Sequence, residues 1–134
     1  MQQAVSAAQS QACHTIASST LRQFNMPAPY LSEIEAPSRA DVDAWRGLTL
    51  LEFGTDWCGH CRAAQPAVTQ AMAEHPQWQH LKVEDGSGRA LGRSFRVKLW
   101  PTLVFLRDGQ EIARLVRPTS VSELNAVWAA MDRA

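Results

Sequence analysis

A chain of 134 residues is the size of one domain and long enough to bury a core without disulfide staples. Thirteen basic residues balance thirteen acidic ones, which excludes a net field favouring nucleic acid or an anionic membrane over other partners, so binding has to come from a local site. The hydrophobic content of 46% suits an ordinary soluble domain, and no apolar run approaches the about 20 residues of a membrane helix.

Residues 2–24 are rich in Ala, Ser and Gln, and Val5, Ala8, Ala12, Ile16 and Phe24 recur at helical spacing. This predicts a weakly amphipathic helix within an N-terminal extension over 1–25, a candidate surface for self-association. Through Ser19 the extension has no Lys or Arg and no sustained apolar stretch, so it reads as neither a secretory signal nor an anchor, and the expected compartment is the cytoplasm. Cys13 reads as a small buried residue, with an intermolecular disulfide or an oxidisable thiol as the alternative. Met26 is an alternative start. Pro27, Pro29 and Pro37 interrupt any helix and predict a linker over 26–37, ahead of a domain over 38–134.

Ser38 and Asp41 have the spacing of a capping box and open a short helix expected to reach Trp45. Strands are expected over 48–53, 78–84, 101–107 and 111–117, the last two joined as a hairpin by Asp108, Gly109 and Gln110. Helices are expected over 58–74 and 87–95, and a second capping box, Ser120 with Glu123, begins a final helix reaching about Asp132. Strand, helix, strand, helix, strand, strand, helix describes an α/β sandwich with a mixed sheet flanked by helices.

The three cysteines cannot all pair internally. Cys58 and Cys61 are too close in sequence to staple a long loop, so catalysis or metal binding outranks scaffolding. They sit where a strand runs into the start of a helix, in Trp57-Cys58-Gly59-His60-Cys61. A sulfur there meets unsatisfied N–H groups and the positive end of the helix dipole, which favour thiolate and make Cys58 the expected nucleophile. Cys61, three residues on and nearly on the same face, is the expected resolving thiol. Gly59 permits close approach of another polypeptide, and His60 can carry positive charge beside the thiolate. The alternatives are unreactive buried cysteines or half of a zinc site. A zinc site needs four ligands, no second Cys-x-x-Cys exists, and His14, His75 and His80 lack ligand spacing to the dithiol.

Over about residues 38–132 the chain resembles the thioredoxin family, with the dithiol variant typical of protein disulfide isomerase domains. The resemblance rests on Phe53 through Cys61, on Pro66 within the following helix, on Trp100-Pro101-Thr102, and on the hairpin turn Asp108-Gly109. It implies a thioredoxin fold and a thiol-disulfide oxidoreductase with no metal or organic cofactor. It implies protein disulfides as substrates and a reductase that regenerates the dithiol. The resemblance assigns Glu52 as proton acceptor for Cys61, acting through water, and burial is expected to raise its pKa; the lesser alternative is an edge Glu pointing to solvent, since strand phase can shift by a residue. Lys82 matches the lysine partner of that acid, although by itself it reads as a solvated strand residue. Pro101 matches a cis-proline loop that holds an extended substrate by its backbone; composition alone makes it a strand-start proline. Trp57 and Trp100 then flank the site as aromatics suited to extended polypeptide, with core packing the alternative for Trp100.

Three departures stand out. Gly54 occupies a place where many thioredoxins carry a bulky aromatic, and Arg117 one where they carry glycine beside the substrate groove. His60 in place of the usual proline should make the disulfide more oxidising. Two other functions therefore stay open: a redox-gated interaction module on the same fold, and an exported oxidase or isomerase.

Overall fold

The structure, a computed structural model, describes residues 28–133. The expected N-terminal helix, with Cys13, His14 and Met26, lies outside the described residues. The two most apolar runs of the sequence become adjacent strands buried on both faces. β1 (Leu48–Gly54) and β3 (Thr102–Arg107) pair antiparallel. Because strand side chains alternate, Leu50, Leu103 and Phe105 enter one core while Leu51, Phe53, Val104 and Leu106 enter the other. β2 (Gln79–Glu84) lies parallel to β1, and β4 (Gln110–Val116) antiparallel to β3, giving the order β2-β1-β3-β4.

Among the described residues four helices cover the sheet: α1 (Arg39–Asp43), α2 (Gly59–Glu74), α3 (Ala90–Ser94) and α4 (Val121–Arg133). α2 and α4 close the first core, where Ala64, Ala67, Val68 and Ala71 meet Leu124 and Trp128. Trp78, Phe105 and Trp128 pack edge to face with centroids 5.2 to 5.8 Å apart, a geometry that suits ring quadrupoles, and His75 stacks on Trp128 at 3.9 Å. α1 and α3 close the second core through Val42, Leu91 and the following Phe95. A parallel pair requires a crossover. α2 supplies it between β1 and β2, which brings its first turn to the C-terminal end of β1, where the dithiol lies.

Both capping boxes form. Ser38 Oγ accepts from Asp41 N and Asp41 Oδ2 from Ser38 N, each at 3.0 Å; Ser120 and Glu123 exchange the equivalent bonds at 3.3 and 3.4 Å. α1 stops at Asp43, short of the expected Trp45. The hairpin turn is also tighter than expected: Arg107 pairs with Gln110, so Gln110 belongs to β4 and two residues make the turn. Asp108 and Gly109 have φ of 50° and 79°, the mirror-image turn whose twist matches that of paired strands.

The stretch expected to be a linker docks on the domain. Leu31 bridges to Val83, with Leu31 N donating to Lys82 O and Glu84 N to Leu31 O, both at 2.9 Å. This covers part of the exposed edge of β2 and buries Tyr30 to 8% exposure. At the opposite end of the sheet, a Cβ on Gly109 would lie 2.5 Å from the carbonyl oxygens of Val42 and Asp43. Gly109→Ala should therefore lower the unfolding free energy by at least about 1 kcal/mol, since positive φ alone costs that much with a side chain, and show it as a lower urea midpoint at unchanged slope; an unchanged midpoint would remove the turn's role.

Candidate active site

Cys58 is the N-cap of α2, and its Sγ accepts from the backbone N–H of Cys61 at 3.4 Å. Cys61 begins the buried stripe that continues through Ala64, Val68 and Ala71, and is 1% exposed, whereas Cys58 is half-buried. Partial burial works against ionisation of Cys58. The Cys61 thiol, the backbone N–H groups of Cys61 and His60, and the positive charge of Arg117 outweigh it and hold its pKa below the ordinary thiol value. For Cys61, burial comes first and the neighbouring Cys58 adds to it, pushing the pKa up to about 12 despite a backbone bond from Thr55 and the Tyr30 hydroxyl. The more accessible sulfur is thus the more acidic of the two, and the buried one the less acidic.

Glu52 lies on the α2-facing side of β1 with no solvent exposure. Its Oε2 accepts from the Tyr30 hydroxyl and from Gln65 Nε2 at 2.8 Å, and its Oε1 pairs with His80 Nε2 at 2.9 Å. Burial was expected to raise the Glu52 pKa; it pushes in that direction, but His80, Tyr30 and Lys82 together hold the carboxyl below the ordinary carboxylate value. Lys82 is buried, yet it is not ion-paired with Glu52. Its Nζ donates to Ala28 O at 2.7 Å and Gln65 Oε1 at 2.9 Å, and lies 4.3 Å from the centre of the Tyr30 ring. The lysine expected to partner the acid directly acts on it through Gln65 and through space, because His80 holds the near side.

Gly54 now has a physical reason. A Cβ there would fall 2.5 Å from Cys61 Sγ and 2.9 Å from Tyr30 Oη, so the ring of Tyr30 and the resolving thiol share the space a side chain would fill. Arg117 does too. Its φ of 54° lies in the region glycine favours, and it is held there by its N–H to Pro101 O at 2.9 Å and its Nε to Trp100 O at 2.8 Å.

The Trp100–Pro101 bond is cis, and Thr102 is anchored through Oγ1 to Leu99 O at 2.6 Å. Trp57 is 73% exposed and meets Trp100 edge-on with centroids 5.7 Å apart. Trp100 is only half exposed, and its Nε1 donates to the buried Asp85 at 2.9 Å. Gly59 and His60 are exposed beside Cys58, and the help His60 gives the thiolate comes from its backbone N–H. Among the described residues no group of three or more His, Cys, Asp or Glu could hold a metal.

Tyr30, Gln65 and His80 were not expected to belong to the site, and Arg117, expected beside the substrate groove, was not expected to act on the sulfur. Gln65 follows Cys61 by one helical turn and His80 precedes Lys82 by one strand period, so spacing could have found both. Nothing in the proline-rich stretch pointed to Tyr30.

A Thioredoxin family model matches residues 35–130. The chain belongs to the thioredoxin family. Thioredoxin 2 from Pseudomonas aeruginosa PAO1, solved in its reduced form, is 57% identical and superposes with a TM-score of 0.70, covering 78% of this chain and 95% of that one. The thioredoxin of Chlamydia trachomatis is 36% identical over 52% of this chain and 69% of its own length. TPR repeat-containing thioredoxin TDX of Arabidopsis thaliana is 34% identical over 63% of this chain, which spans 22% of that longer protein. The fold is the thioredoxin fold, with its mixed sheet and flanking helices.

Two outcomes follow from these electrostatics. Arg117→Ala should shift the pH profile of Cys58 alkylation by iodoacetamide to higher pH; an unshifted profile would show that its charge does not reach the sulfur. Stability of the reduced protein should also fall at both ends of the pH scale. Glu52, depressed from 4.5, stabilises the fold above that value and loses its contribution as pH drops through the lower folded pKa. Cys61, raised from 9.0 to about 12, stabilises it below 9.0 and loses its contribution as pH rises through that interval. Urea midpoints across pH would show it, and Cys61→Ala should flatten the alkaline limb.

Proposed function

We propose that this thioredoxin-family protein is a thiol-disulfide oxidoreductase that reduces disulfides in protein substrates. The observation that carries the reading is the unequal pair at the start of α2: Cys58 half-exposed with a lowered pKa, Cys61 buried with a raised one. The Cys58 thiolate attacks a substrate disulfide, forming a Cys58–substrate bond as the substrate S–S bond breaks and one thiolate leaves. Cys61 then gives up its proton, with Glu52 as the terminal acceptor, and attacks Cys58 Sγ; the second substrate thiolate leaves, and the protein is left with a Cys58–Cys61 disulfide. A dithiol reductase as recycling partner returns it to the starting state.

In this reading Trp57, Trp100 and the backbone around Pro101 and Thr102 receive an extended substrate segment, Gly59 lets it approach, and Lys82 holds Gln65 and the acid in place. The direction is reduction in the cytoplasm. The isomerase-like His60 favours a more oxidising couple, so the reduction potential decides between directions. A value near the about −270 mV of thioredoxin supports a reductant, and one near the about −180 mV of protein disulfide isomerase supports the oxidase or isomerase reading.

Insulin reduction should proceed with the wild type and fall at least about 100-fold in Cys58→Ser, which lacks the nucleophile; equal activity in the two would sink the proposal. Cys61→Ser should trap partners as mixed disulfides released by dithiothreitol. Partners held without a covalent bond would favour the redox-gated interaction module instead.

A further inference from the structure

Between the thiol that must lose a proton and the carboxylate that takes it stands one phenol. We infer that the Tyr30 hydroxyl relays the proton from Cys61 to Glu52 as the mixed disulfide is resolved, replacing a water at that place; the inference rests on the oxidoreductase reading above.

Three observations carry it. The Tyr30 hydroxyl donates to Glu52 Oε2, and its oxygen takes only a long contact from Gln65 Nε2, at 3.5 Å, so it retains acceptor capacity for the proton of a thiol. Cys61 Sγ and Tyr30 Oη close on one point, 2.5 and 2.9 Å from where a Gly54 Cβ would lie, so the absent side chain is what allows them to approach. The acceptor is fixed in orientation. Lys82 Nζ donates to Gln65 Oε1 at 2.9 Å, which turns the Gln65 amide so that Nε2 faces Glu52 Oε2 at 2.8 Å, while His80 Nε2 holds Oε1 at 2.9 Å.

The titratable and charged groups around the phenol are Glu52 on β1, Cys61 on α2, and Lys82 on β2, whose Nζ lies 4.3 Å from the ring centre. Burial first, and then Glu52 and Cys61, push ionisation of the phenol upward, which favours a path in which the two protons move together without a free tyrosinate. In the step, Cys61 Sγ–H passes its proton to Tyr30 Oη as Tyr30 passes its own to Glu52 Oε2. The Cys61 electron pair forms the bond to Cys58 Sγ, the Cys58–substrate S–S bond breaks, and its pair leaves with the substrate thiolate. Tyr30 begins and ends as a phenol, and Glu52 ends as the acid. His80, with its side chain 21% exposed, is where this buried chain meets solvent.

The test uses the reduced full chain mixed with Ellman's disulfide, 5,5′-dithiobis(2-nitrobenzoate), in a stopped-flow instrument. A first release of thiolate reports attack by Cys58, and a second reports resolution by Cys61. Tyr30→Phe should leave the first phase within about twofold and slow the second about 100-fold near neutral pH, in line with loss of a positioned acid–base group. Its second phase should then climb about tenfold per pH unit, as bulk hydroxide replaces the relay, where the wild-type profile is shallow. A folded Tyr30→Phe that resolves at the wild-type rate overturns the inference. So does a uniform slowing with a profile parallel to wild type, which is what mere packing support would produce. Tyr30 is the chain's single tyrosine, so biosynthetic replacement by 3,5-difluorotyrosine changes phenol acidity at this place alone and keeps the ring even if Tyr30→Phe fails to fold. A change of at least twofold in the second phase alone supports the relay, and an unchanged second phase overturns it. Absence of a first phase in the wild type overturns the oxidoreductase reading itself and the relay with it.

Discussion

A carboxylate cut off from water has to be stabilised wholly by the protein, and Glu52 is such a group. Three hydrogen-bonding partners and a nearby ammonium hold it ionised: Tyr30 and Gln65 on one oxygen, His80 on the other, and Lys82 a step behind. Removing one partner of a buried charge typically costs about 3–5 kcal/mol, so the elements that carry these partners have to stay in register. They come from the segment before α1, from α2 and from β2, and the constraint ties all three to β1. The docking of Leu31 on β2 belongs to the same arrangement, since it places Tyr30 one residue away from a sheet bond.

The two sulfurs differ because of where α2 begins. The N-cap position leaves Cys58 at the surface among backbone N–H donors, while one turn later Cys61 is inside the apolar stripe of the helix. Burial and hydrogen bonding thus push two chemically identical groups apart in acidity, the arrangement by which pairs of titratable residues acquire distinct roles. In the proposed mechanism the buried acid serves the second cysteine. Cys58 needs no base, because Arg117 and the helix terminus already favour its thiolate.

Gly54 and Arg117, two of the three departures noted in the sequence, serve this division. Gly54 vacates the volume in which Tyr30 and Cys61 meet. Arg117 accepts a left-handed backbone, which costs a residue with a side chain about 1–2 kcal/mol, and in return places a guanidinium against the Trp100 carbonyl and a charge near Cys58. The cis-proline loop is therefore tied to the sulfur electrostatically as well as by position.

Local pattern determined a good deal. Alternating apolar residues and two capping boxes were enough to place the strands and helices within a few residues, and a dithiol at a strand-to-helix junction located the chemistry, because these features depend on neighbours in the chain. The pairing of Arg107 with Gln110 lay beyond it, since turn length is decided by strand twist. Whether Glu52 faced water or the core lay beyond it as well, because a shift of one residue moves a strand side chain to the other face. The sign of its pKa shift was misjudged for the same reason: burial is visible in a hydrophobic run, whereas His80, Gln65 and Tyr30 reach Glu52 from three other segments. Tyr30 marks the limit most clearly. It sits in a stretch whose prolines say only that no helix forms there, and its place between Cys61 and Glu52 exists because the folded sheet edge binds that stretch and Gly54 leaves room for the ring.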